Sequence, residues 1–177
     1  MRYMDIEEKV DADFTRARRR AFVRRMGARL RGDSTRTGLR SFEEIRKVEG
    51  TYNRVRLGIC VVPVGKIVGS VGRHQDFDAT FMPAKSSLRA KWKRIDRAFH
   101  RGEDLPPVAL LKLGDEYFVE DGNHRVSVAR FHGVEWIDAE VMSSLVFPRL
   151  GLGKVARNRL RPICARQPER ALAGQRR

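Results

Sequence analysis

An apolar run, Tyr117-Phe118-Val119, gives way to Glu120-Asp121-Gly122-Asn123-His124-Arg125 and then to Val126-Ser127-Val128-Ala129. An Asp-Gly turn followed by a basic pair at the opening of a helix is a geometry that suits an anion. The first N–H groups of a helix have no intrahelical partner, the helix dipole puts partial positive charge there, and an arginine adds a planar fork for two phosphate oxygens. The leading expectation is a phosphate-bearing ligand held by Gly122, Asn123, His124 and Arg125. Each residue also has a plainer role open to it. Arg125 can pair with Glu120 or Asp121, Asp121 can cap the helix, His124 can pack against the preceding hairpin, and Ser127 can bond back to its own helix. Strand alternation sets Glu120 and Asp121 on opposite faces, so one of them looks into the site; Asp121 is the choice as general base or metal ligand.

The composition agrees with an anionic partner. Of 177 residues, 37 are Lys or Arg against 22 Asp or Glu, a net charge of +15, and the pI is near 10.9. Long-range attraction of this kind is indifferent to whether the polyanion is DNA, RNA, acidic lipid or a nucleotide. Hydrophobic residues make up 41%, enough for one folded core. Cys60 and Cys164 have no partner at disulfide-framework or zinc-ligand spacing, and His74, His100 and His132 share no metal spacing, so these histidines read as surface or packing residues. No apolar run approaches the roughly eighteen residues of a membrane span, and the first residues lack a signal-peptide pattern. A reducing cytoplasm fits.

The elements that must position the site follow from periodicity. Residues 13 to 31 place Phe14, Phe22, Met26 and Leu30 on one helical stripe, surrounded by arginines that include Arg18, Arg19, Arg20, Arg24 and Arg25. Such a basic helix reads as a packing helix with solvated arginines, a DNA-contacting arm or a membrane-surface helix. Residues 33 to 58 read as a linker in which Ser41 caps a short helix with Glu44 as its box partner. Ile59-Cys60-Val61-Val62 is a strand that ends at Pro63, and Gly65, Gly69 and Gly72 punctuate the following loop, permitting either close approach to a ligand or simple turns. From Ser86 to Arg101, Leu88, Trp92, Ile95 and Phe99 recur at helical spacing. Val108-Ala109-Leu110-Leu111 and Tyr117-Phe118-Val119 flank Leu113-Gly114-Asp115-Glu116 as a hairpin, a short helix runs from about His124 to His132, and residues 134 to 141 alternate as a strand. The fold class is therefore α+β: a small mixed sheet with packed helices at 58–142, a basic helical extension and linker at 1–57, and a basic, disordered tail at 143–177. Edge strands and the N-terminal helix each permit a homodimer, with no heptad pattern to specify one.

The order of strand, Val62-Pro63-Val64-Gly65-Lys66-Ile67, helix with Trp92, hairpin, and Asp121-Gly122-Asn123-His124-Arg125 resembles the ParB/sulfiredoxin superfamily over about residues 59 to 141. The resemblance implies a ParB-like nucleotide-binding fold in which the Gly-x-x-Arg helix start at Gly122 and Arg125 grips the phosphates of CTP or ATP. It also implies a second phosphate-contacting arginine in the loop before the long helix, matched by Arg73. Lys66 would then join Arg73 and Arg125 around a triphosphate, with Asp76 or Asp78 holding magnesium through water.

Members of the superfamily include CTP-hydrolysing DNA clamps, ATP-using reductases of oxidised peroxiredoxins and kinases of free serine. The reductases need a cysteine where this chain has Asn123, so that chemistry lacks its nucleophile. The clamps carry a helix-turn-helix domain after the nucleotide module, and the segment from 142 to 177 lacks the apolar periodicity for one. The expectation is a nucleotide-binding module, a slow hydrolytic switch associating non-specifically with DNA through its basic arms. The alternatives are a free-serine-type kinase with Asp121 or Asp76 as base, and a nuclease built on Asp76, Asp78 and Asp121.

Overall fold

The computed structural model describes residues 5–32, 38–49 and 51–147. The helices are α1 (Ile6–Leu30), α2 (Phe42–Glu49), α3 (Arg89–His100) and α4 (Asn123–Phe131), and the strands are β1 (Arg40–Ser41), β2 (Thr51–Pro63), β3 (Ile67–Ser70), β4 (Val108–Leu113), β5 (Glu116–Asp121) and β6 (Trp136–Phe147). One six-stranded mixed sheet has the order β1-β3-β5-β4-β6-β2. β1 with β3, β3 with β5, and β4 with β6 are parallel; β4 with β5 and β2 with β6 are antiparallel. The architecture is α+β, as the sequence pattern requires.

The hairpin at the sheet centre follows from its turn. Gly114 takes φ +58° at the first position of a two-residue Gly114-Asp115 connection, a conformation that side chains resist. Both faces of the sheet are covered at the hairpin, so its adjacent residues are buried together rather than alternately. On one face Val108, Leu110, Tyr117 and Val119 meet Val126 of α4 and Phe77 and Phe81 of the long loop. On the other, Leu111 and Phe118 meet Phe42 of α2, with the Phe42 and Phe118 rings edge to face at 5.5 Å. Behind α4 lie α3 and then α1, joined by a cluster of Phe14, Ala17, Ala21, Met82, Trp92 and Val128. Trp92 is fully buried, and its indole N–H donates to Ser127 Oγ at 2.9 Å. Ser127 is thus a partner for a core tryptophan.

Several boundaries differ from the sequence reading. α1 begins at Ile6, well before residue 13, and its buried stripe is Val10, Asp13, Phe14, Ala17, Ala21 and Ala28. Of the expected stripe only Phe14 is buried; Phe22, Met26 and Leu30 face outward. Small residues won because they let α1 approach α3 closely. The approach is ionic as well: Arg97 Nη2 donates to Glu7 Oε2 at 2.7 Å, and Asp11 Oδ1 lies 2.8 Å from Lys93 Nζ and 2.6 Å from Arg89 Nη2. The basic helix docks by its few acids.

The segment read as a linker supplies β1, α2 and the first half of β2. The N-cap part of its capping expectation is met, since the Glu44 N–H donates to Ser41 Oγ at 3.4 Å. Residues 143 to 147 of the expected tail extend β6; residues 148–177 lie outside the described residues. Among the described residues no helix is long and apolar enough to cross a membrane.

Gly69 shows what one loop glycine is for. A Cβ there would stand 2.3 Å from the Arg40 carbonyl oxygen and 2.6 Å from the Phe118 ring, whereas one at Gly65 would meet nothing within 4 Å. Gly69→Ala should destabilise the fold by about 1–3 kcal/mol through overpacking, and Gly65→Ala by under about 0.5 kcal/mol; urea unfolding of the two variants checks the contrast.

Candidate functional site

β5 delivers the chain to α4 through Gly122, whose φ of +98° makes it a left-handed N-cap. A Cβ there would also lie 2.7 Å from Val108 Cγ1 and 3.0 Å from Arg125 Nε, so glycine is required by torsion and by space. Asp121 does not cap the helix; no side chain caps α4. The Asp121 carboxylate instead accepts from Arg125 Nη2 at 2.5 Å. Arg125 Nη1 donates to the Pro107 carbonyl at 2.8 Å and to that of Pro106. Its guanidinium is thereby engaged on three oxygens of its own chain. The β4 approach, the end of β5 and the first turn of α4 are clasped together by it.

This junction forms one wall of a cavity of about 450 Å³, whose lining includes Arg73, Lys91, Arg94, Asn123, His124 and Arg125. Gly72, Glu120 and Asp121 also border it. Glu120 and Asp121 reach the same cavity because β5 carries a bulge: Ala109 pairs with Asp121 and Leu110 with Val119, leaving Glu120 as the extra residue. Bulges break strict alternation. Glu120 is paired with Arg54 at 2.9 Å, and the Asp121 side chain remains 80% exposed.

Polar atoms of two side chains in the wall have no hydrogen-bond partner. Asn123, 6% exposed, has its Oδ1 without a hydrogen bond, and so have both ring nitrogens of His124. The His124 ring packs edge-on against Phe77, centroids 5.5 Å apart. Burial first, then the nearby charges of Arg73 and Lys91, push the His124 imidazolium down to a pKa of about 4. At neutral pH the ring is therefore uncharged, and it stands in a positive field.

The remaining sequence candidates are distributed unevenly. Arg73 borders the cavity, its N–H donating to Ser70 Oγ at 3.2 Å and its Nη1 to Asp76 Oδ2 at 3.5 Å. Lys66 is exposed in the short 3-10 turn Val64–Lys66 and does not line the cavity. Asp76 is held by Lys85 Nζ at 2.6 Å. Asp78 is a loop organiser: its buried Oδ1 accepts from the Thr80 N–H, the Thr80 hydroxyl and the Met82 N–H, at 2.8, 2.8 and 2.9 Å. That turn holds Phe81 at φ +63° and Phe77 against His124. Asp76, Asp78 and Asp121 do not form a group of converging ligand atoms among the described residues. Lys91 and Arg94, by contrast, escaped the sequence reading. Both lie on the exposed side of α3, and their only sequence signal is a basic face opposite the Trp92 stripe.

Of the arginines expected to meet DNA, Arg18, Arg19, Arg20 and Arg24 are exposed on α1 and Arg25 is partly buried. Arg20 lies over the Phe131 ring at 4.8 Å, and Arg24 Nε is 3.8 Å from Asp78 Oδ2. A groove of about 670 Å³ runs along this helix, bordered by Arg16, Arg19, Arg20, Arg24 and Arg31.

The chain matches no family model, and no curated protein matches it. Among solved structures it is similar to sulfiredoxin from Arabidopsis thaliana, at 18% identity and a TM-score of 0.36, over 47% of this chain and 82% of that one. A likeness of that size does not bear on chemistry, and the α+β assignment rests on the sheet described above.

His124 makes the fold pH-sensitive in a defined direction. Its folded pKa of about 4 lies below the ordinary 6.5, so between these values the unfolded chain binds the extra proton and stability falls as pH falls. Its contribution is complete above pH 6.5 and lost by about pH 4. Denaturant midpoints measured from pH 7 to 4 should decline more steeply in the wild type than in His124→Phe.

Proposed function

We propose that this chain is a nucleotide-binding module that takes the oligophosphate of CTP or ATP in the β5–α4 cavity and associates with nucleic acid through the arginine face of α1. The observation that carries the reading is the convergence of Arg73, Lys91 and Arg94 with the N-terminal turn of α4, beside Asn123 Oδ1 and a His124 ring that lack hydrogen bonds. Among the described residues Lys91 and Arg94 have no ion-pair partner, unlike the cations at the α1–α3 seam. Unpaired cations and free helix N–H groups facing one concavity are what a phosphate chain requires. A cavity of about 450 Å³ lies within the range of about 300–1,000 Å³ usual for small-ligand sites.

In this reading Arg125 acts by position. It holds Gly122 in its left-handed turn, so that the amides of Asn123 and His124 face the ligand, while Arg73, Lys91 and Arg94 supply the charge. Asn123 Oδ1, which has no partner, would accept from a ribose hydroxyl. Asp121, the most exposed carboxylate on the rim, is the group that would hold a water-bridged magnesium ion or orient a hydrolytic water. Neither role needs Lys66. Slow hydrolysis would make the nucleotide a switch, and the exposed arginines of α1 would meet a phosphate backbone without reading its bases.

The test is titration of CTP and ATP, with and without duplex DNA. Lys91→Ala and Arg94→Ala remove exposed side chains and should leave the fold intact while weakening nucleotide binding roughly tenfold or more each. Affinity unchanged in the double variant would overturn the reading. Because a bound anion raises the pKa of His124, nucleotide affinity should also increase as pH is lowered from 8 toward 5, and this trend should vanish in His124→Phe. Arg18→Ala with Arg19→Ala should lower DNA affinity, reduce its salt dependence by about two phosphate contacts and spare the nucleotide.

A further inference from the structure

Away from the phosphate cavity, four side chains from three helices point at one another. Asp13 comes from the buried face of α1, Asp96 and His100 sit four residues apart on α3, and His132 is the C-cap of α4. One ligand atom from each, two carboxylate oxygens and two imidazole nitrogens, lie within 4.8 Å of one another. His100 Nε2 is 2.8 Å from Asp13 Oδ2, and His132 Nε2 is 2.7 Å from Asp96 Oδ1. The second Asp96 oxygen, Oδ2, makes no hydrogen bond; the nearest cationic candidate, His100 Nε2, is 3.7 Å away.

A purely structural role explains part of this. Two histidine–carboxylate hydrogen bonds tie α1 to α3 and α3 to α4. It does not explain why Asp96, at 0% exposure, keeps one oxygen unpartnered, since a buried carboxylate oxygen without a donor is costly. The one guanidinium on the cluster, Arg16 at 2.5 Å from Asp13 Oδ1, is largely in solvent. The imidazoles come from the C-terminal ends of α3 and α4, where the helix dipoles add further negative potential.

We propose that Asp13, Asp96, His100 and His132 form a closed binding site for a divalent transition-metal ion of the zinc type, which pins α1 to the body of the fold. Two imidazoles with two carboxylates, and no thiolate, select zinc-like ions over magnesium or calcium, whose ligands are oxygens. Tetrahedral bonds near 2.0–2.1 Å put ligand atoms roughly 3.4 Å apart. The two short histidine–carboxylate contacts would open slightly, and the wider pairs would close. Both rings would carry their proton on Nδ1, leaving the Nε2 lone pairs to the metal. Phe99 is stacked flat on His132 at 4.2 Å and 13°, which fixes that ring's plane. The site supplies what α1 otherwise lacks. Its remaining ties to α3 are Phe14 against Trp92, a narrow stripe of otherwise small residues, and ion pairs that are partly in solvent, each of the latter worth little.

The experiment uses the full chain, stripped with a chelator and titrated with Co²⁺ and with Zn²⁺. One equivalent of Co²⁺ should develop the intense visible bands of tetrahedral coordination, and Zn²⁺ should displace it and raise the thermal midpoint. Asp96→Asn keeps the shape and an acceptor for His132 but lacks the anionic ligand. His132→Gln is the second variant, in case the first unfolds. Removing a direct ligand should weaken Zn²⁺ binding by more than the roughly 10–100-fold typical of outer-shell partners, and should abolish the Co²⁺ bands. Lys93→Ala, beside the same helices, should keep both. Wild-type chain that binds Co²⁺ only octahedrally, or variants that bind Zn²⁺ as tightly as wild type, would overturn the assignment.

Discussion

The guanidinium of Arg125 takes the carboxylate of Asp121 on one nitrogen and the carbonyls of Pro106 and Pro107 on the other, and much of the site's geometry depends on that clasp. It fixes where β4 begins relative to where β5 ends, and it holds the helix start against both. Gly122 can occupy the space beneath only because it has no side chain and tolerates φ +98°. A phosphate-gripping arginine and a loop-organising arginine look identical in sequence. The distinction lies in how many of its donors are already satisfied, and here the nearest carbonyls and carboxylate take three contacts. Arg73, Lys91 and Arg94 border the same cavity as Arg125.

The distribution of the surplus cations follows the same logic. The chain has 37 basic residues for 22 acidic ones, so ion pairing is selective by necessity. Acids concentrate where elements must dock: Glu7 and Asp11 against Arg97, Lys93 and Arg89 at the α1–α3 seam. The hydrogen bond from Arg97 holds the Glu7 carboxyl below its ordinary range. Positions left without an acid, Lys91 and Arg94 one face around the same helix, gather at a concavity. α3 is in this sense two-sided, with one basic face neutralised by α1 and another open.

The hairpin, α3, α4 and the helix start at Gly122 were legible because each carries a local signal: a Gly114 turn, a Trp92 stripe of period 3.6, a glycine before a basic pair. α1 was legible as a helix but not in its orientation. Its large apolar residues Phe22, Met26 and Leu30 suggest one face, and the structure buries Ala17, Ala21 and Ala28 instead, since close approach to α3 favours small side chains and the arginines crowd the other face. The short β1 and the first half of β2 were hidden inside a polar segment, because edge strands need little apolar patterning. The bulge at Glu120 was also silent in sequence, and it places two carboxylates on one cavity.

By itself the sequence determined the fold class, the central hairpin, the Asp-Gly turn at the strand–helix junction and the cationic excess, all of which are local or compositional properties. Tertiary structure decided which cations remain free, that Asp78 organises a loop, and that His100 and His132 meet Asp13 and Asp96. The physical reason is separation along the chain. Asp96 and His100 announce their proximity through one helical turn, whereas Asp13 and His132 reach them only after α1 and α4 have packed against α3, and no pairwise spacing in a sequence encodes a packing geometry of three helices.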